Sequence, residues 1–190
     1  MTRLVMLAAE LQSLLDSKSW KNCLIGGLVL QRWGEPRLTK DVDMTVLAGF
    51  GGEEPVVDLL LARFAGRRPD AREFALQNRV LLIQSADGIG MDVALGGLPF
   101  EERVMERASD FDFTPEYRLR TCSAEDLIVM KAFANRERDW LDVETVLIRQ
   151  EQRLDWKQIM AELKPLSELK ESPEIPARLE KLRRKVAELN

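Results

Sequence analysis

The stretch Ile25-Gly-Gly-Leu-Val-Leu-Gln-Arg-Trp-Gly-Glu-Pro-Arg-Leu-Thr-Lys-Asp-Val-Asp43 decides what the rest of the chain is expected to be. Residues 22–25 read as a short strand, Gly26-Gly27 interrupts it, and 28–33 reads as a helix that starts at once. From residue 41 to 47 polar and apolar residues alternate, with Asp41, Asp43 and Thr45 on one side and Val42, Met44 and Val46 on the other. A period of two predicts a half-buried strand, on which Asp41 and Asp43 leave the same face about 6–7 Å apart at the backbone. A slip of one residue would bury both acids, so the apolar side pins the register.

Composition narrows what those acids can do. The sequence has no histidine, which excludes Ser-His-Asp and Cys-His catalysis and any His-containing zinc site. Acid–base or metal chemistry must then run on carboxylates. Hard oxygen donors without imidazole or thiolate select Mg²⁺ or Mn²⁺, and Mg²⁺ commonly takes one or two carboxylates plus substrate phosphates. Gly26-Gly27 complements this, because glycines between a strand and a helix leave backbone N–H groups open to an anion. Arg37, Thr39 and Lys40, in the loop before the acids, offer further donors. A Gly-Gly alone is usually a turn and an Asp-x-Asp alone is usually a solvated strand face. Their order is the informative feature: strand, Gly-Gly, helix, polar loop, strand with two acids.

Working outward, residues 3–16 carry apolar side chains at helical spacing, and a helix is expected from about 54 to 64. Strands are expected at 73–76, 80–84 and 91–95, the last two joined by an Asp87-Gly88 turn. The segment holding Pro99 and Pro115 reads as loop, and 118–121 as a final edge strand. Ser123-x-x-Asp126 is a helix N-cap pattern, followed by helices at about 123–135, 139–149, 155–163 and 177–189. The layout is α/β (α+β) over residues 1–120 and helical over 121–190.

Other features exclude rather than select. A net charge of −4 gives no general attraction to nucleic acid or anionic lipid. Arg67, Arg68 and Arg72 form a basic loop and residues 178–185 a basic helical tail, each readable as a solvated face. Cys23 and Cys122 make neither a disulfide framework nor a CxxC pair. The apolar residues 4–9 are followed by Glu10 and Asp16, the pattern of an amphipathic helix rather than a signal peptide. A cytoplasmic protein without membrane contact is expected.

Gly-Gly followed by Arg37-x-Thr39-x-Asp41-x-Asp43 resembles the signature of the DNA polymerase β-like nucleotidyltransferase superfamily. That resemblance implies a mixed sheet flanked by helices and a third carboxylate from a later strand. Asp92, in Gly90-Met-Asp-Val-Ala-Leu95, is the matching residue. Residues 123–142, with Lys131, Arg136, Arg138, Asp139 and Asp142, resemble the helical part of AbiEii-type nucleotidyltransferases, many of which are toxins of toxin–antitoxin or abortive-infection systems. The resemblance makes Lys131 a ligand for nucleotide phosphates, against the alternative of a lysine snorkelling to solvent. It makes residues 1–120 the catalytic core.

The reaction so implied is Mg²⁺-dependent (or Mn²⁺-dependent) transfer of an NMP from an NTP such as ATP to an acceptor hydroxyl. Asp41, Asp43 and Asp92 would hold the metal, and Asp92 would serve as general base. The acceptor is left open among a tRNA end, another RNA, a protein and a small molecule. A protein antitoxin is the partner that the toxin branch of the family implies. The competing reading is a catalytically silent nucleotide-binding or partner-binding protein on the same fold.

Overall fold

The computed structural model describes residues 2–188, apart from the side chain of Glu151. The chain divides into two compact units, one holding residues up to Leu28 together with Leu38–Cys122, the other Val29–Arg37 together with the residues from Ser123 on. The fold is mixed α/β, with one seven-stranded sheet in the first unit and helices making up the second.

In the first unit, helix α1 (Thr2–Asp16) buries Leu4, Leu7, Ala8, Leu11 and Leu15, the stripe that its sequence spacing predicts. It packs on strands β1 (Asn22–Ile25), β2 (Asp41–Leu47) and β7 (Tyr117–Thr121). With β3 (Ala65–Gly66), β4 (Val80–Gln84), β5 (Gly90–Gly96) and β6 (Ser109–Thr114), the sheet order is β3-β4-β5-β2-β1-β7-β6. The β2/β5 and β1/β7 pairs are parallel and the other pairs antiparallel. Val42, Met44, Val46, Leu81, Ile83, Met91 and Val93 are buried on one face of the central strands. Asp41, Asp43, Leu82, Gln84, Gly90 and Asp92 stand half-buried on the other.

The expected helices near 54–64, 123–135 and 139–149 are present as α3 (Glu53–Arg63), α6 (Ala124–Ala134) and α7 (Glu137–Gln150). Ser123 caps α6, its hydroxyl accepting the Asp126 N–H at 3.1 Å. The helix closes at Asn135, in the left-handed region at φ 60°, and the Trp140 indole N–H donates to the Asn135 side chain at 2.8 Å. Helix α8 (Trp156–Leu169) runs six residues past its expected end, and α9 (Glu174–Ala187) begins three residues before its expected start. Residue 189, included in the expected span of the last helix, lies outside the described residues. In the second unit α6 packs on α7, α8 and α9, burying Leu127, Ile128, Val143, Val146, Ile159, Leu163, Ile175 and Leu179.

Three expectations are corrected. Residues 73–76 are not a strand but the middle of helix α4 (Ala71–Asn78), which buries Ala71 and Ala75 one turn apart and stops at Arg79, φ 55°. The segment after β5 is not loop: helix α5 (Pro99–Arg107) starts on Pro99, where a missing N–H costs nothing, and Glu101 accepts the Gly97 and Leu98 N–H groups at 2.7 and 2.8 Å. The strand ending at 121 is not the edge strand, because β6 pairs outside it. Among the described residues, no helix is long and apolar enough to cross a membrane.

Candidate active site

The register of the sheet brings together the three acids singled out in the sequence. Asp43 of β2 pairs directly with Asp92 of β5, and Asp41 lies two residues along β2, opposite Gly90. Paired residues on neighbouring strands share a face, so all three carboxylates project from the half-open side. Asp92 follows the β4–β5 turn, whose Gly88 has φ +80°, a value that suits glycine.

Each acid has a local partner. Thr39, itself buried, donates its hydroxyl to Asp41 at 2.8 Å. Asp43 lies against the Gly-Gly turn, with the Gly27 N–H 3.4 Å from its Oδ2. Asp92 is ion-paired with Arg67. Burial pushes the Asp92 carboxyl above its ordinary value and the charge of Asp41 pushes it further, against the opposing pull of Arg67. Among the described residues, no group of three or more Asp, Glu, Cys or His side chains stands ready-made around a metal position. The donor types are nevertheless those that suit Mg²⁺: three hard carboxylates on one face, without a soft ligand among them.

The Gly-Gly turn has a steric reason. Gly26 has φ +68°, and a Cβ on it would fall 2.0 Å from Asp43 Oδ2. The carboxylate therefore occupies the space that any other residue would fill. Gly26→Ala is expected to lower stability by about 2 kcal/mol or more, adding displacement of Asp43 to the left-handed backbone penalty of roughly 1–2 kcal/mol. Gly49→Ala is the control: φ is +72° but nothing lies within 4 Å of the added methyl. Thermal unfolding of the two variants separates the clash from the backbone term, and equal losses would remove the steric reason.

Lys40, next to Asp41, is exposed. Arg37 and Lys131 belong to the second unit, where they meet on Asp142. The Lys131 ammonium, in a side chain 9% exposed, donates to Asp142 at 2.7 Å and to Asp139 at 3.1 Å. Arg37 grips Asp142 through two nitrogens at 2.7 and 2.8 Å, and Arg136 grips Asp139. The result is an alternating chain: Arg136, Asp139, Lys131, Asp142, Arg37. Burial pushes both carboxyls up, but hydrogen bonds and charge from these cations outweigh it and hold both below their ordinary value.

In the sequence Arg67, Arg68 and Arg72 are indistinguishable members of one basic loop. In the structure Arg68 binds Asp70 at 2.9 Å and stacks on Phe74, and Arg72 binds Asp58 and Glu54 at 2.8 Å each. Of these three, Arg67 is the one placed on the acidic face.

A family model described as "Nucleotidyl transferase AbiEii toxin, Type IV TA system" matches residues 11–159. No curated protein gives a significant match. Solved structures that resemble the chain include an antigenic nucleotidyltransferase-like protein from Paracoccidioides brasiliensis, at 16% identity and TM-score 0.49, covering 94% of this chain and 91% of the other. A lincomycin-bound lincosamide antibiotic adenylyltransferase, LnuA, is 11% identical with TM-score 0.49, covering 72% and 92%. ANT(2")-Ia in complex with adenylyl-2"-tobramycin is 16% identical with TM-score 0.46, covering 97% and 99%.

Proposed function

Because the chain belongs to the AbiEii nucleotidyl transferase toxin family, we propose that it moves an NMP from an NTP to an acceptor hydroxyl, with Asp41, Asp43 and Asp92 holding a divalent metal. The observation that carries this reading is the pairing of Asp43 with Asp92 across β2 and β5, with Asp41 on the same face. Had the register been shifted by one, Asp92 would point into the core and the set would be broken.

When bound, Mg²⁺ would offset the phosphate charge and make the acceptor hydroxyl more acidic. The chain's own groups do the rest. The turn at Gly26-Gly27, at the start of α2 (Gly26–Trp33), makes room for the Asp43 carboxylate against the backbone and sets the Gly27 N–H beside it. Thr39 fixes the Asp41 carboxylate, and Lys40 adds a cation beside it. Asp92 takes the proton from the acceptor hydroxyl as general base. The hydroxyl oxygen then bonds to the α-phosphorus while the bond to the β-phosphate oxygen breaks, and pyrophosphate leaves with the electron pair.

The acceptor class follows less directly. Arg68 and Arg72 are each neutralised by a carboxylate, and in the basic tail Arg178 pairs with Glu137 and Lys185 with Glu144. Paired cations contribute little to phosphate-backbone binding, so an RNA or tRNA acceptor would rest on the exposed Lys181, Arg183 and Arg184. The test is incubation of the pure protein with each labelled NTP, Mg²⁺ and a cell extract. Label transferred to one acceptor class, with pyrophosphate released and the reaction stopped by a chelator, is expected. Nucleotide binding without transfer or pyrophosphate would favour a silent binding protein.

The matched family's description favours one refinement, a toxin restrained by a protein antitoxin. Induced expression should then arrest growth for the wild type and not for Asp43→Asn.

A further inference from the structure

The register that aligns the acids also aligns a cation with them. Gly66 pairs with Ile83, and the next residue, Arg67, donates its N–H to the Leu82 carbonyl at 2.9 Å. Leu82 pairs with Asp92, and Asp92 with Asp43. One row therefore runs from Arg67, the residue just past β3, across three strands at Leu82, Asp92 and Asp43, and residues in a row share a face. The Arg67 side chain reaches along that face to the Asp92 carboxylate. It passes over Gly90, where a Cβ would come within 3.0 Å of Nη1. Both ends of the pair are accessible, at 31% and 35% side-chain exposure, so the guanidinium can leave without unpacking the core.

Resting on the reading of the three acids as metal ligands, we propose that Arg67 is the resident counter-ion of Asp92, displaced when nucleotide and metal bind together. A guanidinium and a divalent cation repel each other at one carboxylate, so the metal gains its third ligand only after Arg67 departs. The guanidinium's planar fork suits a phosphate as well as a carboxylate, which makes the incoming polyphosphate its alternative partner. Arg67 thus couples metal occupancy to nucleotide occupancy and keeps Asp92 neutralised in the absence of both. It acts through Asp92 and is a positioning residue.

The test is Mn²⁺ binding to the full chain, read by electron paramagnetic resonance, with and without a non-hydrolysable NTP analogue. For the wild type the analogue should tighten Mn²⁺ binding by about tenfold or more, within the usual range of coupling between sites. In Arg67→Gln, Mn²⁺ alone should bind about tenfold tighter than to the wild type, and the coupling should collapse. Gly90→Ala, whose methyl crowds the guanidinium while leaving its charge, should shift both values the same way by less, and it decides the question if Arg67→Gln does not fold. Unchanged or weaker Mn²⁺ binding by the Arg67→Gln protein, with wild-type binding that depends on Asp41 and Asp43, overturns the role of Arg67 alone. Wild-type binding that is undetectable with and without analogue, or that survives Asp41→Asn and Asp43→Asn, overturns the metal site and this proposal with it.

Discussion

Asp43→Asn is expected to lower nucleotidyl transfer by on the order of 10³-fold, the scale seen when one group that stabilises developing charge is removed. The melting temperature should stay within a few degrees of the wild type. Both halves follow from where Asp43 sits. The substitution removes one negative charge from the half-open face but keeps an oxygen to accept the Gly27 N–H, and the buried neighbours Val42 and Met44 are untouched. Asp41→Asn should behave alike, because an amide oxygen still accepts the Thr39 hydroxyl. Transfer assays beside circular dichroism and thermal melts check the pair. Full turnover in both single variants would rule out the carboxylate site, whereas loss of fold would mean that the acids serve the sheet.

How much of this was readable in the sequence depends on the range of the interaction. The alternation in β2 and the lone acid in β5 are local patterns, and the sheet's registers carry them directly into a shared face. Helix α4 was misread because two turns offer only Ala71 and Ala75 as buried anchors, too few to separate a period of 3.6 from one of two. In α5 the signal was present, with Phe100, Val104 and Met105 buried at helical spacing, but Pro99 suggested a break although it starts the helix. The alternating Phe111 and Phe113 of β6, which meet edge to face at 5.0 Å, likewise mark a strand that lay unread beside Pro115. Arg67 is not distinguished from Arg68 by its loop, because the contact that sets it apart, its N–H on the Leu82 carbonyl, joins segments distant in sequence. The partners of Lys131 are the extreme case: Arg37, 105 residues from Asp142, joins the same carboxylate. Residues 29–37 fall with the helical unit, a placement that needs contacts far apart in sequence.

Lys131 is where sequence and structure pull toward different experiments. The family resemblance gives its ammonium to nucleotide phosphates, while its two carboxylate partners give it a structural task. Lys131→Met keeps the side chain's length but leaves Asp139 and Asp142, at 2% and 4% side-chain exposure, short of one cation each. Removing one member of a buried ion pair costs about 3–5 kcal/mol, and Arg37 and Arg136 compensate in part, so a loss near the lower figure is expected. For a chain of this size that corresponds to a fall in Tm of roughly 6–12 °C. Acid should shrink the difference. Both aspartates are held below their ordinary value of 3.8, so their contribution is fully present above about pH 4 and is lost as pH falls through the folded-state values. Below that range the wild type forfeits what the variant already lacks, and the two melting curves should converge. A double variant, Lys131→Met with Asp142→Asn, should recover part of the loss at neutral pH by removing one uncompensated charge. Calorimetry with an NTP analogue, well below the melting temperature, then separates the two tasks. Unchanged nucleotide affinity beside a lowered Tm makes Lys131 the keystone of the helical unit, and a tenfold loss of affinity at an unchanged Tm assigns it to the phosphates.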